Sequence, residues 1–479
     1  MTIPEWLQTA DRTAPWRKLR VCVAGIRLAG FSAAEALVHL GAHVTVVDAK
    51  DGQPERERAT ILEILGGHAR LGDAETLPEG TQLLVVSPGF RPDAPIVRAA
   101  EEAGIPVWGD VELAWRLRPT ENPAPWLCVT GTNGKTTTVR MLASILRAAG
   151  KRAIAAGNVG TPILEAVLAD EPYDVIAVEL SSFQLHYTHS MRPLAAAVLN
   201  VAPDHLDWHG SFEAYAKAKG RIYENCKIAC VYNVADPLTE QLVRDAEVEE
   251  GCRAIGFGLG VPGVSEFGVV DEVLCDRAFL AERWTTAAEI GTVADVQPPA
   301  PHNIANALAA AALARAYGVP PVAVRDGLRA FRPDAHRIAH VATVDEVDYV
   351  DDSKATNPHA AAASLAAYRS VVWIAGGLAK GADFDDLVKS AAERLRAVVL
   401  IGTDRDKIRT ALERHAPDVP VVEVADTDTG VMERVVAEAR RLAQPGDTVL
   451  LAPACASMDM FRDYGERGDR FAEAVRRLS

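Results

Sequence analysis

Short, continuously apolar runs alternate along this chain with longer stretches whose apolar residues recur at helical spacing, and that alternation predicts α/β layers. "LRVCVAG" (19–25) is the first such run, and a helical stretch follows it to Leu40 with Gly41 as its cap. "HVTVVDAKD" and "TQLLVVSPGF" (81–90) are the next strands, the latter followed by a helix ending near Gly104. "RPTENPAPW" (118–126) is polar and proline-rich, a linker. Beyond it come the strand "LCVTG" and a helix in which Val139, Leu142, Leu146 and Ala149 share one face, then the strand "YDVIAVELSS" (173–182) and the strand-led run "LAAAVLNVAPDHLDWHG" (194–210). The stretch 235–300 has no clear period. "HNIANALAAAALARAYGV" (302–319) reads as a helix, and "FRPDAHRIAHV" (331–341) opens a last unit with strands in "AVVLIG", "VPVVEV" and "DTVLLAP". The expected domains are 1–117, 118–332 and 333–479.

The most informative stretch is "CVTGTNGKTTTVR" (128–140). A glycine-rich turn between a strand and a helix aims several backbone N–H groups at one anion, and the helix adds its positive end. The spacing Gly131-x-x-Gly134-Lys135-Thr136 is tighter than the common phosphate loop, because Val129 stands where that motif has its first glycine. Lys135 is placed to reach terminal phosphates, and Thr136 to offer a hydroxyl to magnesium. Magnesium needs further oxygen or nitrogen ligands. Glu179 ends one predicted strand, and Asp204 and His205 end the next, where ligands of open parallel sheets gather.

"GIRLAG" (25–30) resembles the opening of a dinucleotide fold, with Asp48 following Gly25 by 23 residues. Arg27 replaces the glycine that lets a pyrophosphate approach, which argues against NAD and for another nucleotide on a Rossmann-like domain. Near the other end, "DDSKATNPHA" (351–360), "GGLAKGADF" (376–384) and "APACASMDMFRDYGERGDRF" (452–471) each follow a predicted strand and carry lysines and hydroxyls suited to an anionic substrate.

Composition narrows the field. The 479 residues suit about three domains of ~150 each. A net charge of −15, from 65 acidic against 50 basic residues, disfavours a nucleic-acid partner. The seven cysteines include no C-x-x-C pair, and Cys226 and Cys230 lack a partner pair at zinc spacing, so all seven are expected as reduced thiols. The N-terminus lacks an apolar signal core and no run of about 18 apolar residues occurs, so a cytoplasmic protein without membrane insertion is expected.

Taken together, "GTNGKTTT" (131–138), "GNVG" (157–160), "ELSSFQL" (179–185), "NVAPDHLD" (200–207), "HNIANALAA" (302–310), His336-Arg337 and "DDSKATN" (351–357) resemble the Mur ligase family across nearly the whole chain. "DSKATN" and "PACASMDMFRDYGERGDRF" (453–471) resemble its D-glutamate-adding branch. The resemblance implies a Rossmann-like first domain for a UDP-linked substrate, a central P-loop ATPase-like domain and a Rossmann-like last domain for the amino acid. It implies a small-molecule enzyme, expected as a monomer, that uses ATP to turn the carboxylate of UDP-N-acetylmuramoyl-L-alanine into an acyl phosphate, which D-glutamate then attacks. The ATP residues it implies are Gly131, Thr132, Asn133, Gly134, Lys135, Thr136 and Thr137, with Asn303, Asn306, Arg337 and Asp352 around adenine, ribose and phosphates. Two magnesium ions are implied, with Thr136, Glu179, His205 and a carbamylated Lys219 as ligands; Lys217 is the rival for the carbamate. Lys135, Glu179, His205 and Lys219 are thereby the catalytic set. The UDP-linked substrate falls to Asp48, Lys50, Ser87, Gly89, Asn158, Ser181 and His205. D-glutamate falls to Lys354, Thr356, Lys380, Ser457 and Tyr464, where relatives often have phenylalanine at the last position. The rivals are a sister ligase with another amino acid, a folate polyglutamate synthase, a nucleotide-dependent binding protein and an NAD-dependent oxidoreductase.

Overall fold

The computed structural model describes residues 3–333, 335–426, 428 and 430–478. It contains three sheets, and the chain divides into two compact units, one formed by 1–296 and 305–331, the other by 297–304 and 332–479.

The first unit holds two sheets. In the N-terminal one, β1 (Arg20–Ala24), β2 (His43–Asp48), β3 (His68–Leu71), β4 (Leu83–Val86) and β5 (Val107–Gly109) lie in the order 3-2-1-4-5, all parallel. The apolar runs become strands because helices cover both faces of a parallel sheet, so neither face needs polar side chains. The second sheet begins with β6 (Trp126–Thr130), β7 (Ala153–Gly157), β8 (Val175–Glu179), β9 (Ala195–Val198), β10 (Ala229–Asn233) and β11 (Arg253–Phe257), which are parallel. It is extended by β12 (Glu266–Val270), β13 (Val273–Asp276) and β14 (Ala288–Thr292), an antiparallel run beginning at β12. Its order is 14-13-12-11-10-9-6-8-7.

The stretch without a sequence period, 235–300, holds the helix Pro237–Arg244 and the four strands β11–β14, joined by loops. Its alternation is masked by glycines. At Gly268 on β12 a Cβ atom would collide with the carbonyl oxygen of Gly260 and with Pro262, so the position demands the missing side chain. The expected linker 118–126 ends in a buried anchor: Trp126 meets Trp115 edge-on at 5.0 Å, and the Arg118 guanidinium stands 3.1 Å from the Trp115 ring centroid.

The second unit holds β15 (Ala339–Val344), β16 (Val347–Asp351), β17 (Val371–Gly376), β18 (Leu395–Ile401), β19 (Val421–Glu423) and β20 (Thr448–Leu451), ordered 15-16-20-17-18-19. The strands β15 and β16 pair antiparallel and the rest are parallel. Both faces are packed: Trp373, Val398 and Leu450 belong to one buried cluster, and Ile374, Val399 and Leu451 to the other. No helix among the described residues is long and apolar enough to cross a membrane.

Candidate active site

In the second sheet of the first unit β6 lies between β8 and β9, so the segments that follow these three strands are neighbours. The glycine-rich loop leaves β6 and enters the helix Lys135–Ala148. Gly134 sits at φ +83°, a conformation that favours glycine, and a Cβ there would strike Asn306 Oδ1. The loop is pinned from the β9 side. Asn200 Oδ1 accepts from Asn133 N at 2.8 Å, Asn200 Nδ2 donates to Asn133 O at 3.1 Å, and Asn200 O accepts from Thr132 N at 3.0 Å. The Thr132 hydroxyl lies 3.1 Å from Ala202 O, to which it donates, and 3.0 Å from the Tyr215 hydroxyl. Lys135 Nζ donates to Gly131 O and Thr132 O at 2.9 and 3.0 Å. Thr136 and Thr137 are buried in the first helical turn.

Glu179 ends β8 and is 1% exposed. Its Oε1 accepts from Asn158 Nδ2 at 3.0 Å, while its Oε2 is buried with no hydrogen-bond partner. A buried, unpartnered carboxylate oxygen is costly unless something cationic meets it. Of the other expected magnesium ligands, Thr136 is buried in the first turn of the helix Lys135–Ala148, and His205 lies on the loop after β9. Lys219, on the helix Phe212–Gly220, is 2% exposed, and its Nζ donates to Gly131 O at 2.8 Å. Burial first, and the nearby Lys135 charge second, hold Lys219 well below the ordinary lysine range, although Asp204 and Glu179 pull the other way. Lys217 on the same helix is exposed, which separates the two rivals.

Asp204 and His205 do not end a strand as expected. β9 stops at Val198, and a loop carries them, because Asn200 and Ala202 are tied to the glycine-rich loop and Val201 N donates to Asp236 Oδ2 at 2.8 Å. His205 takes φ +52° and packs edge-on to Phe183 at 4.8 Å. Partial burial lowers its pKa, as do the Lys219 and Lys135 charges, which favours the neutral imidazole a metal requires.

Of the expected UDP-substrate residues, the N-terminal sheet carries Asp48 at the end of β2, Lys50 just beyond it, and Ser87 and Gly89 after β4, whereas Asn158, Ser181 and His205 follow strands of the second sheet. Asp48 uses its carboxylate on backbone: Oδ2 accepts from Ile26 N at 2.8 Å and Oδ1 from Lys50 N at 2.9 Å. Arg27 is exposed just before the helix Leu28–His39, and Ser87 Oγ lies 3.5 Å from Gly25 O. Gly89 follows β4 in open space, and Ser181 caps the short helix after β8 by accepting from Gln184 N at 3.2 Å.

In the second unit β16, β20 and β17 are adjacent, and the loops after them are joined by backbone hydrogen bonds. Leu378 N donates to Ala456 O at 2.9 Å, Ala456 N to Leu378 O at 3.0 Å, and Ala454 N to Ala355 O at 2.9 Å. This brings the segments carrying Thr356, Lys380 and Ser457 together. Lys354 Nζ stands 3.9 Å from the ring centroid of Tyr464, a cation–π contact. Arg467, 1% exposed, was absent from the expected set, yet it donates to Ser353 Oγ at 2.9 Å, Ser353 O at 2.8 Å and Cys455 O at 3.2 Å. Asp352 is buried, its Oδ1 accepting from Ile338 N at 3.2 Å and its Oδ2 from the Ser364 hydroxyl; burial pushes its carboxyl up to about 6. Of the two α-helical asparagines expected near adenine, Asn306 belongs to the first unit and Asn303, donating to Pro298 O at 3.3 Å, to the second.

Residues 129–314 match the Mur ligase middle domain, and residues 336–455 the glutamate ligase domain of Mur ligases. The UDP-N-acetylmuramoylalanine--D-glutamate ligase of Streptomyces avermitilis is 67% identical over 463 residues, which cover 97% of this chain and 99% of that protein. The chain belongs to the Mur ligase family. The protein of the same name from Mycolicibacterium smegmatis is 47% identical, covering 95% and 96% of the two chains. Among solved structures, MurF of Acinetobacter baumannii shares the fold at a TM-score of 0.58 and 17% identity, covering 95% of this chain and 93% of that one. UDP-N-acetylmuramate-alanine ligase MurC of Thermotoga maritima does so at 0.57 and 19%, covering 96% and 100%.

Proposed function

We propose that this chain is an ATP-dependent ligase that joins D-glutamate to UDP-N-acetylmuramoyl-L-alanine in peptidoglycan precursor synthesis. The observation that carries the reading is the near-full-length likeness to ligases of that name, and the site geometry supports it. The domains 1–117, 118–332 and 333–479 then receive the UDP-linked substrate, ATP and D-glutamate, in a monomer acting in the cytoplasm.

A free carboxylate is a poor electrophile. Its oxygen attacks the terminal phosphorus of ATP, ADP leaves, and an acyl phosphate results. The neutral amine of D-glutamate then attacks the acyl carbon, inorganic phosphate departs, and the amine loses a proton as the amide forms. The first step brings two anions together, so the protein has to offset their repulsion. Lys135 and the N–H groups at the start of its helix hold the transferring phosphate. Thr136, Glu179 and His205 hold magnesium, two ions in all, which supplies charge neutralisation to the phosphates.

Lys219 completes the metal set as a carbamate. Carbon dioxide adds only to a neutral amine, and burial beside Lys135 favours that form. Deprotonated, the adduct is an anionic oxygen donor in place of a cation. Asn158 orients Glu179 and faces the muramoyl substrate; Asp48, Lys50, Ser87, Gly89 and Ser181 hold its UDP end. Lys354, Thr356, Lys380, Ser457 and Tyr464 hold the two carboxylates of D-glutamate.

The test is ADP release from ATP with UDP-N-acetylmuramoyl-L-alanine and a panel of amino acids. D-glutamate should support turnover, and L-glutamate, L-alanine and diamino acids little. A diamino acid as best substrate would move the chain to a sister activity, and ATP binding without amide product would make it a binding protein.

A further inference from the structure

The sequence predicts seven reduced thiols and no completed metal site, yet three of them meet. Cys226 precedes β10, Cys230 lies on it, and Cys252 directly precedes β11. Their sulfurs all lie within 4.8 Å of one another, with Cys230 and Cys252 at 3.8 Å. Parallel pairing explains the meeting: Cys230 opposes Ala254, so Cys252 stands just upstream on the neighbouring strand.

We infer that Cys226, Cys230 and Cys252 form a site for one soft, thiophilic d10 cation, Zn(II) or Cu(I), bound through three thiolates. A metal with bonds of about 2.3 Å to sulfur holds its sulfur ligands roughly 3.8–4.0 Å apart, the spacing already present between Cys230 and Cys252, with Cys226 within 4.8 Å of both. No histidine or carboxylate among the described residues joins the cluster, so the donor set is all sulfur and selects soft ions over magnesium. Cys226 and Cys230 are buried, whereas Cys252 is partly exposed and gives an entry path and, for Zn(II), a place for water as fourth ligand. The reaction balances: three thiols and one Zn(II) give a monoanionic tris-thiolate and release three protons.

The cluster lies at the amino-terminal ends of β10 and β11, whereas the glycine-rich loop follows the carboxyl end of the parallel β6. The ion therefore ties two strands and a loop together without entering the chemistry. Binding stabilises the folded state alone, so it raises Tm without changing ADP release.

The experiment titrates the reduced, metal-free full chain with Zn(II) and, anaerobically, with Cu(I), each against a competing chelator. One equivalent of either ion should bind, with protons released and a Tm increase. Cys252→Ser should weaken binding at least ten-fold, and Cys275→Ser, on β13, should not. X-ray absorption on the loaded wild type decides the ligand shell independently of any variant: sulfur neighbours at about 2.3 Å support the site. A shell of nitrogen and oxygen, equal binding by Cys252→Ser, or no stoichiometric binding of either ion overturns it, as does a native Cys230–Cys252 disulfide that excludes the ion.

Discussion

The glycine-rich loop of the first unit and the joined strand-end loops of the second, the proposed sites for ATP and for D-glutamate, are built by different means. The first is one contiguous segment, pinned by Asn200 from the β9 side, by the Thr132 hydroxyl against Ala202 and Tyr215, and by Lys135 and Lys219 on its carbonyls. The second is assembled from three segments far apart in sequence, held by backbone pairing and by the buried Arg467, with lysine side chains as the charged groups. Backbone donors fix a phosphate that every turnover presents in the same shape. Side chains on separate loops set the distances between several points, which is what telling D-glutamate from L-glutamate requires.

Breaking the first arrangement should have the larger effect. Lys135→Ala should leave the fold intact and reduce ADP formation by about a thousand-fold or more, because its charge acts in phosphoryl transfer. Wild-type turnover in that variant would remove ATP from the loop. Next comes Lys219→Arg, which keeps a cation but cannot take up carbon dioxide; a loss on the order of a hundred-fold is expected, as for other lost metal-site ligands or partners. Lys217→Arg, at an exposed position, should stay near wild type, and the reverse ranking would transfer the carbamate to Lys217.

The second arrangement should fail more gently. Lys354→Ala should raise the KM for D-glutamate on the order of ten-fold or more while ATP affinity holds, because one charged contact is lost from several. A matching loss of ATP affinity would contradict the division of labour between the two loop systems.

The last effect falls on stability rather than turnover and concerns two buried carboxyls, Asp110 in the first unit and Asp352 in the second, both pushed up to about 6 by burial. A raised pKa means that the folded state holds the proton more tightly than the unfolded one. Each group's stabilising contribution is thus complete below about pH 4 and is lost as pH rises to about 6, at most about 3 kcal/mol apiece. Asp110 Oδ1 is buried without a partner, so Asp110→Asn should flatten this slope in denaturant titrations of the full chain between pH 4 and 7. An unchanged slope would mean that Asp110 titrates as an ordinary carboxyl.

The same contrast governs what the sequence reveals. The loop at 131–137 is legible because a local motif carries its own geometry: strand, turn, lysine, hydroxyl, helix. Asn200, which fixes that loop, carries no such mark, since its role depends on β9 lying beside β6. Arg467 is similar: an arginine on a helix near the C-terminus reads as surface until Ser353 and Cys455 are seen to surround it. The strands β12–β14 were hidden by glycines that break the alternation, and Asp204 and His205 were read as strand ends because the apolar run before them gives no sign that pairing stops at Val198. The cysteine cluster escaped because spacing along the chain says nothing about neighbours across a parallel pair.

The backbone bonds joining Leu378 with Ala456 and Ala454 with Ala355 continue the order of the sheet past the ends of its strands. The amide hydrogens of Leu378, Ala454 and Ala456 should therefore exchange with deuterated solvent on the timescale of β17 and β20 rather than of surface loops. The conformational entropy of these backbone segments is surrendered when the unit folds, so a ligand that met them would spend little of its interaction energy on ordering them.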